Sequence, residues 1–142
     1  MMSIRDLKVL IIDDNLADAE IIRIIMEDIG IQDVHILTNA EDALSMLKKK
    51  RDSHPRFQPD LILVDMNMPR MNGKEFLKEA GKYIQGTYVM IMSGLAKDTF
   101  NNMLHRMIVK PCTSEEIDDT MNIIREVVDE IVVQKPIINL DR

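Results

Sequence analysis

Val9-Leu10-Ile11-Ile12-Asp13-Asp14 sets four consecutive aliphatic residues ahead of two adjacent carboxylates. An apolar run this short, without polar alternation, fits a strand buried on both faces, as in a parallel sheet covered by helices on each side. The pattern returns at Leu61-Ile62-Leu63-Val64-Asp65, which leads into Asn67-Met68-Pro69. A third run, Met107-Ile108-Val109, ends in Lys110-Pro111. In such sheets the carboxyl ends of the strands share one edge, and ligands bind there where the strand order reverses. The three runs therefore bring three carboxylates and one ammonium toward one spot.

Helical patterns separate the runs. After a first strand at residues 8–13, Asn15 caps a helix whose apolar positions are Leu16, Ala19, Ile22, Ile25, Met26 and Ile29, with Gly30 as its stop. A second strand at 34–37 precedes a helix from 39 to about 50, with Ala43, Leu44 and Leu47 inward. Residues 52–59, with two prolines, read as a loop, 60–65 as the third strand, and 68–73 as a turn. A helix over 74–81 carries Phe76, Leu77 and Ala80; a strand over 88–92 ends in Ser93-Gly94. A short helix is expected within 97–105 and a fifth strand at 107–109. The last helix opens on Thr113-Ser114-Glu115-Glu116, a capping box in which hydroxyl and carboxylate bond each other's backbone amides. Ile117, Met121, Ile124, Val128 and Ile131 form one helical stripe, and Pro136 is expected to bound it.

The 142 residues suit one domain, with a core at about 6–130 and a C-terminal extension at 131–142. Hydrophobic content of 46% and charged content of 30% are ordinary for a soluble protein. A net charge of −6 argues against a nucleic-acid partner, and Lys48-Lys49-Lys50-Arg51 reads as a solvated helix end. The one cysteine, Cys112, excludes an internal disulfide and is expected to pack as a small hydrophobe. No signal peptide is evident, and no run nears the ~20 apolar residues of a membrane span, so the expected location is cytoplasmic.

One of Asp13 and Asp14 could merely cap the following helix. Two adjacent carboxylates at a buried sheet edge nevertheless repel each other unless a cation neutralises them. Hard oxygen ligands suit Mg²⁺, which keeps several waters and often a phosphate oxygen. The turn after the first strand has no glycines to cradle a phosphate directly.

In order along the chain, Asp13-Asp14, Val64-Asp65-Met66-Asn67-Met68-Pro69-Arg70-Met71-Asn72-Gly73, Met92-Ser93-Gly94 and Lys110-Pro111 resemble the motifs of the receiver domain of two-component response regulators. The resemblance covers roughly residues 6–130. It implies a flavodoxin-like α/β fold, (βα)5, a three-layer sandwich with a central five-stranded parallel sheet of order 2-1-3-4-5. It also implies that Asp65 is the phosphoacceptor, and that Asp13, Asp14, Asp65 and the backbone carbonyl of Asn67 hold Mg²⁺. Ser93 and Lys110 would each meet a phosphoryl oxygen, and Pro111 would follow a cis peptide. These roles suit phosphoryl transfer, in which catalysis is mostly positioning and charge neutralisation.

The implied function is that of a stand-alone response regulator in a two-component phosphorelay. It would accept a phosphoryl group from a sensor histidine kinase or a histidine phosphotransfer protein and signal to a downstream protein. Such a chain is not an enzyme on an outside substrate, but a phosphoacceptor assisting its own phosphorylation and dephosphorylation. The alternative is a pseudo-receiver, a binding module never phosphorylated. An aspartyl-phosphate phosphatase is a third class, disfavoured because Asn67 stands where a general acid would be needed.

Two departures touch the surface that reports phosphorylation. Only sixteen residues separate Ser93 from Lys110, with Leu104-His105-Arg106 in place of small residues, and Met107 stands where an aromatic is usual. Met66, Met68 and Met71 are expected to fill core gaps, and His35, His54 and His105 to lie on the surface. The apolar stripe continues through Val127, Val128, Ile131, Val132 and Val133 to Ile137, Ile138 and Leu140. A homodimer through this last helix and tail is expected, against the alternative of a tail folded back over the domain.

Overall fold

Each apolar run becomes a strand of one sheet in the computed structural model, which describes residues 2–52, 58–94 and 106–140. The strands are β1 (Lys8–Ile12), β2 (Asp33–Leu37), β3 (Leu61–Asp65), β4 (Tyr88–Ser93) and β5 (Arg106–Val109). The helices are α1 (Leu16–Ile29), α2 (Ala40–Asp52), α3 (Gly73–Ala80) and α4 (Ser114–Leu140), with short 3-10 turns at Ile4–Asp6 and Gly81–Tyr83. All strand pairs are parallel and their order is β2-β1-β3-β4-β5, the order the resemblance implies. The helix expected within 97–105 lies outside the described residues, as do His54 and His105.

The central strands β1, β3 and β4 are apolar on both faces because both faces are covered, whereas the edge strands β2 and β5 are only partly buried. Val9, Ile11, Leu61, Leu63, Met90, Met92 and Ile108 pack against α1 and α4, through Ala19, Ile22, Ile25, Ile124, Val127, Val128 and Ile131. The intervening residues Leu10, Ile12, Ile62, Val64, Val89 and Ile91 point the other way, against Ala43, Leu47, Phe76 and Ala80 of α2 and α3. Three layers result. At eight residues α3 is too short to persist alone. Its fully buried Phe76 anchors it, a side chain whose burial contributes roughly 1.5–3 kcal/mol.

The caps fall largely where the residue types place them. The Asn15 side chain accepts from the Asp18 amide, and Gly30 ends α1 with φ at 116°, a conformation glycine adopts without strain. Two expectations are corrected. Pro136 does not end the last helix, which continues to Leu140; proline forfeits its own donor, but its fixed φ is itself helical. Cys112 is exposed rather than packed, because it sits in the turn before α4 and donates its N–H to Glu116 at 2.8 Å. The premise of the expected dimer also changes: Val127, Val128 and Ile131 are fully buried by the domain's own core, whereas Val133 is 64% exposed. Among the described residues no helix is long and apolar enough to cross a membrane.

At the amino ends of the strands, Asp60 stitches β1 to β3. Its carboxylate accepts from the Lys8 N–H at 2.9 Å, and its own N–H donates to the Lys8 carbonyl at 2.8 Å. Its carbonyl also accepts from the Tyr88 N–H at 3.0 Å, which extends the stitch to β4.

Candidate phosphoryl and metal site

The chain steps from β1 outward to β2, then back across β1 to β3, so the order reverses between β1 and β3. Ile12 lies beside Val64 in the register. One residue further on, Asp13 and Asp65 emerge at the carboxyl edge of this switch point. Both are buried, at 0% and 3% exposure. The Asp13 N–H donates to the Leu37 carbonyl at 3.1 Å, while Asp65 is the last residue of β3 and pairs with Met92. Asp14 is exposed at the same edge. Oxygens of Asp13, Asp14 and Asp65 lie within 4.8 Å of one another, close enough to share one cation.

The turn after β3 is shaped by backbone. Arg70 adopts φ of 68°, and its guanidinium reaches Glu41 of α2 at 3.1 Å. Gly73 then starts α3 so close to the strand that a Cβ there would stand 2.4 Å from the Asp65 carbonyl oxygen. Only glycine permits this approach. The Asn67 N–H donates to Asp65 Oδ1 at 3.1 Å, so Asn67 reaches the site through its backbone. Met68 is buried, and Met66 and Met71 pack against the α2–α3 side of the core, as expected for gap-filling residues.

From the other side, β4 and β5 bring Ser93 and Lys110 to the same edge. Ser93 is buried and pairs with Val109, and its carbonyl accepts from the Lys110 N–H at 2.7 Å. The Lys110 ammonium crosses to the carboxylates, 2.9 Å from Asp13 Oδ2 and 3.1 Å from Asp65 Oδ2. It also lies 3.2 Å from Asp18 Oδ2, a residue that reading the motifs missed. The only sequence signal for Asp18 was an acid three residues after a capping Asn, which reads as a helix-dipole partner.

Burial pushes the Asp65 carboxyl up to about 6; the Asn67 amide opposes this, Asp13 adds to it, and Lys110 opposes it. Burial disfavours the Lys110 ammonium, yet the hydrogen bonds and charges of Asp13 and Asp65 outweigh that and raise its affinity for the proton. Asp13 Oδ2, though near the ammonium, makes no aligned hydrogen bond and is fully enclosed. A buried carboxylate oxygen without an aligned donor, beside two further carboxylates, fits a hard divalent cation such as Mg²⁺. Away from the site, His35 is exposed beside Asp33 at 2.8 Å.

The arrangement is that of a receiver, and the chain belongs to the response regulator receiver domain family, whose profile matches residues 9–122. It is 34% identical over 99 residues to a protein-glutamate methylesterase/protein-glutamine glutaminase of Treponema pallidum, covering 69% of this chain and 23% of that protein. It is 28% identical over 116 residues to the chemotaxis protein CheY of Listeria monocytogenes, covering 78% of this chain and 92% of the relative. Among solved structures, a CheY-like response regulator receiver domain protein from Methanospirillum hungatei superposes with a TM-score of 0.67 at 28% identity, covering 89% of this chain and 97% of that one. The chain spans about a quarter of the methylesterase relatives it matches, at 23% and 24% of their lengths.

Proposed function

We propose that the chain accepts a phosphoryl group on Asp65 from a histidine kinase or a histidine phosphotransfer protein, in a Mg²⁺-dependent reaction, and signals through protein contacts. The observation that carries this reading is the buried cluster at the switch point. There a single ammonium spans Asp13 and Asp65, with Asp14 within reach of the same cation.

The residues divide the work. With its proton affinity centred near pH 6, Asp65 is mostly ionised at neutral pH and can attack phosphorus with a carboxylate oxygen. The bond from phosphorus to the donor breaks as the acyl phosphate forms, and the donor leaves with the electron pair. Asp13, Asp14, Asp65 and the Asn67 carbonyl would hold Mg²⁺, which when bound supplies positive charge for the phosphoryl oxygens. Lys110 donates to one of those oxygens and Ser93, at the end of β4, donates its hydroxyl to another. Asp13 and Asp65, held at the ends of neighbouring strands, fix where the cation would sit relative to the attacking oxygen.

Incubation with Mg²⁺ and acetyl phosphate tests the reading. Wild type takes up one phosphoryl group and Asp65→Asn none. A wild type that takes no label is instead a binding module, and rapid steady release of phosphate marks a phosphatase. Full labelling of Asp65→Asn contradicts the assignment.

A further inference from the structure

The four α-helices among the described residues share an opening pattern, a capping Asn or Thr followed three residues later by an acid: Asn15/Asp18, Asn39/Asp42, Asn72/Glu75 and Thr113/Glu116. In three of them the acid serves its own helix. Glu75 accepts from the Asn72 N–H at 3.0 Å, and Glu116 accepts from the Thr113 N–H at 3.1 Å. Asp42 accepts from the Asn39 side-chain amide at 2.9 Å. Asp18 breaks the pattern. The Asn15 N–H, the donor it would take, goes to Asp13 Oδ1 at 2.9 Å, and Asp18 Oδ2 lies instead 3.2 Å from the Lys110 ammonium. An acid at a helix-capping position is diverted into the site.

A lysine ammonium has three N–H donors, and here three carboxylates surround it, those of Asp13, Asp65 and Asp18. A phosphoryl oxygen arriving at Asp65 needs one of these donors. At Asp13 and Asp65, whose side chains are 0% and 4% exposed, water has no access to replace a withdrawn ammonium. The Asp18 side chain is 35% exposed, so water can replace the lysine there. Asp18 also sets a negative charge at the mouth of the site, which an anionic donor must pass.

We infer that Asp18 is a positioning residue: it parks Lys110 at the rim of the site and is the carboxylate the ammonium releases when a phosphoryl group arrives. The inference rests on Asp65 being the phosphoacceptor. Asp18 therefore restrains phosphorylation, and its removal accelerates the reaction. In that reaction an Asp65 oxygen bonds to the phosphorus of acetyl phosphate, the bridging P–O bond breaks, and acetate departs with the electron pair.

The test compares wild type, Asp18→Ala and Asp18→Glu in Mg²⁺ and acetyl phosphate, beside the ¹⁵N resonance of the Lys110 ammonium without donor. Asp18→Ala is expected to label Asp65 about two- to five-fold faster at low salt, the range set by one part-exposed ion pair. The gap should narrow as salt rises, Asp18→Glu should return the rate toward wild type, and the Lys110 resonance should shift in Asp18→Ala. A rate equal to or below that of wild type, with native thermal unfolding, overturns the inference while the phosphoacceptor reading stands. A wild type that takes no label overturns that reading, and the inference falls with it. Should Asp18→Ala not fold, the Asp18 carboxyl ¹³C resonance of wild type still decides. It must move toward the solvated value when beryllofluoride binds, and an unmoved resonance overturns the release of Lys110.

Discussion

Asp60 and Asp65 stand at opposite ends of the apolar run that forms β3, five residues apart and both buried, yet the fold treats them differently. Asp60 is met by backbone: the Lys8 N–H bonds its carboxylate, and its own amide and carbonyl complete the stitch between β1, β3 and β4. Asp65 is met mainly by charge, with one lysine shared among neighbouring carboxylates and one backbone amide from Asn67. A buried carboxylate held by amides that move with its strands stabilises the fold. One left among like charges suits the cation and phosphoryl group proposed for it. On that proposal the amino edge of the sheet serves stability and the carboxyl edge chemistry, and substitutions at the two should separate.

The largest effect is expected at Gly73, which links stability to chemistry. Gly73→Ala places a methyl group where the Asp65 carbonyl already stands, at 2.4 Å. Overpacking of this kind costs about 1–3 kcal/mol, and backbone contact puts the change at the upper end. Urea unfolding should show that loss, and phosphoryl labelling should fall with it because Asp65 is displaced. Unchanged stability would mean that α3 can move away from β3 freely.

Asp60→Ala comes next. It strands the Lys8 N–H and should cost about 2 kcal/mol in the same measurement. Labelling of Asp65 in the folded fraction should stay at the wild-type level, since the change lies at the far end of the strand. Lost labelling in a still-folded variant would erase the division between the two edges.

The smallest effect has the opposite sign. The Asp65 carboxyl is pushed up to about 6 in the folded chain, from an ordinary value of 3.8. Between those values the folded protein keeps a proton that the unfolded chain sheds, so this group's contribution is full below about pH 4 and is lost as pH rises through 6. At pH 7 without divalent metal, Asp65→Asn should therefore be more stable than wild type by about 1–2 kcal/mol, a figure reduced because the Lys110 contact offsets part of the cost of the buried charge. The difference should vanish below pH 4. A variant less stable than wild type at pH 7 would show that the Lys110 contact outweighs the burial of the charge.

The sheet was legible because its central strands, buried on both faces, write themselves as apolar runs, and the candidate site because Asp13, Asp65 and Lys110 stand at the ends of such runs. The strand order was not in the residues; it came from the family resemblance. Asp18 was hidden because an acid after a capping Asn has a local explanation, and only the tertiary position of Lys110 competes with it. Gly73 read as the end of a turn, since a glycine does not announce what it approaches. Asp60 read simply as the start of a strand. Val127, Val128 and Ile131 suggested an uncovered stripe because a periodic pattern shows which face is apolar but not how far the sheet reaches along it.

The most direct test of the central claim is the position of the phosphoryl group. After incubation with acetyl phosphate and Mg²⁺, peptide mass mapping should find one phosphoryl group, on the peptide containing Asp65. Chelator present from the start of the incubation should prevent that label from forming. A group carried elsewhere in the chain, or labelling of Asp65 that proceeds unchanged with the metal chelated throughout, would contradict the account.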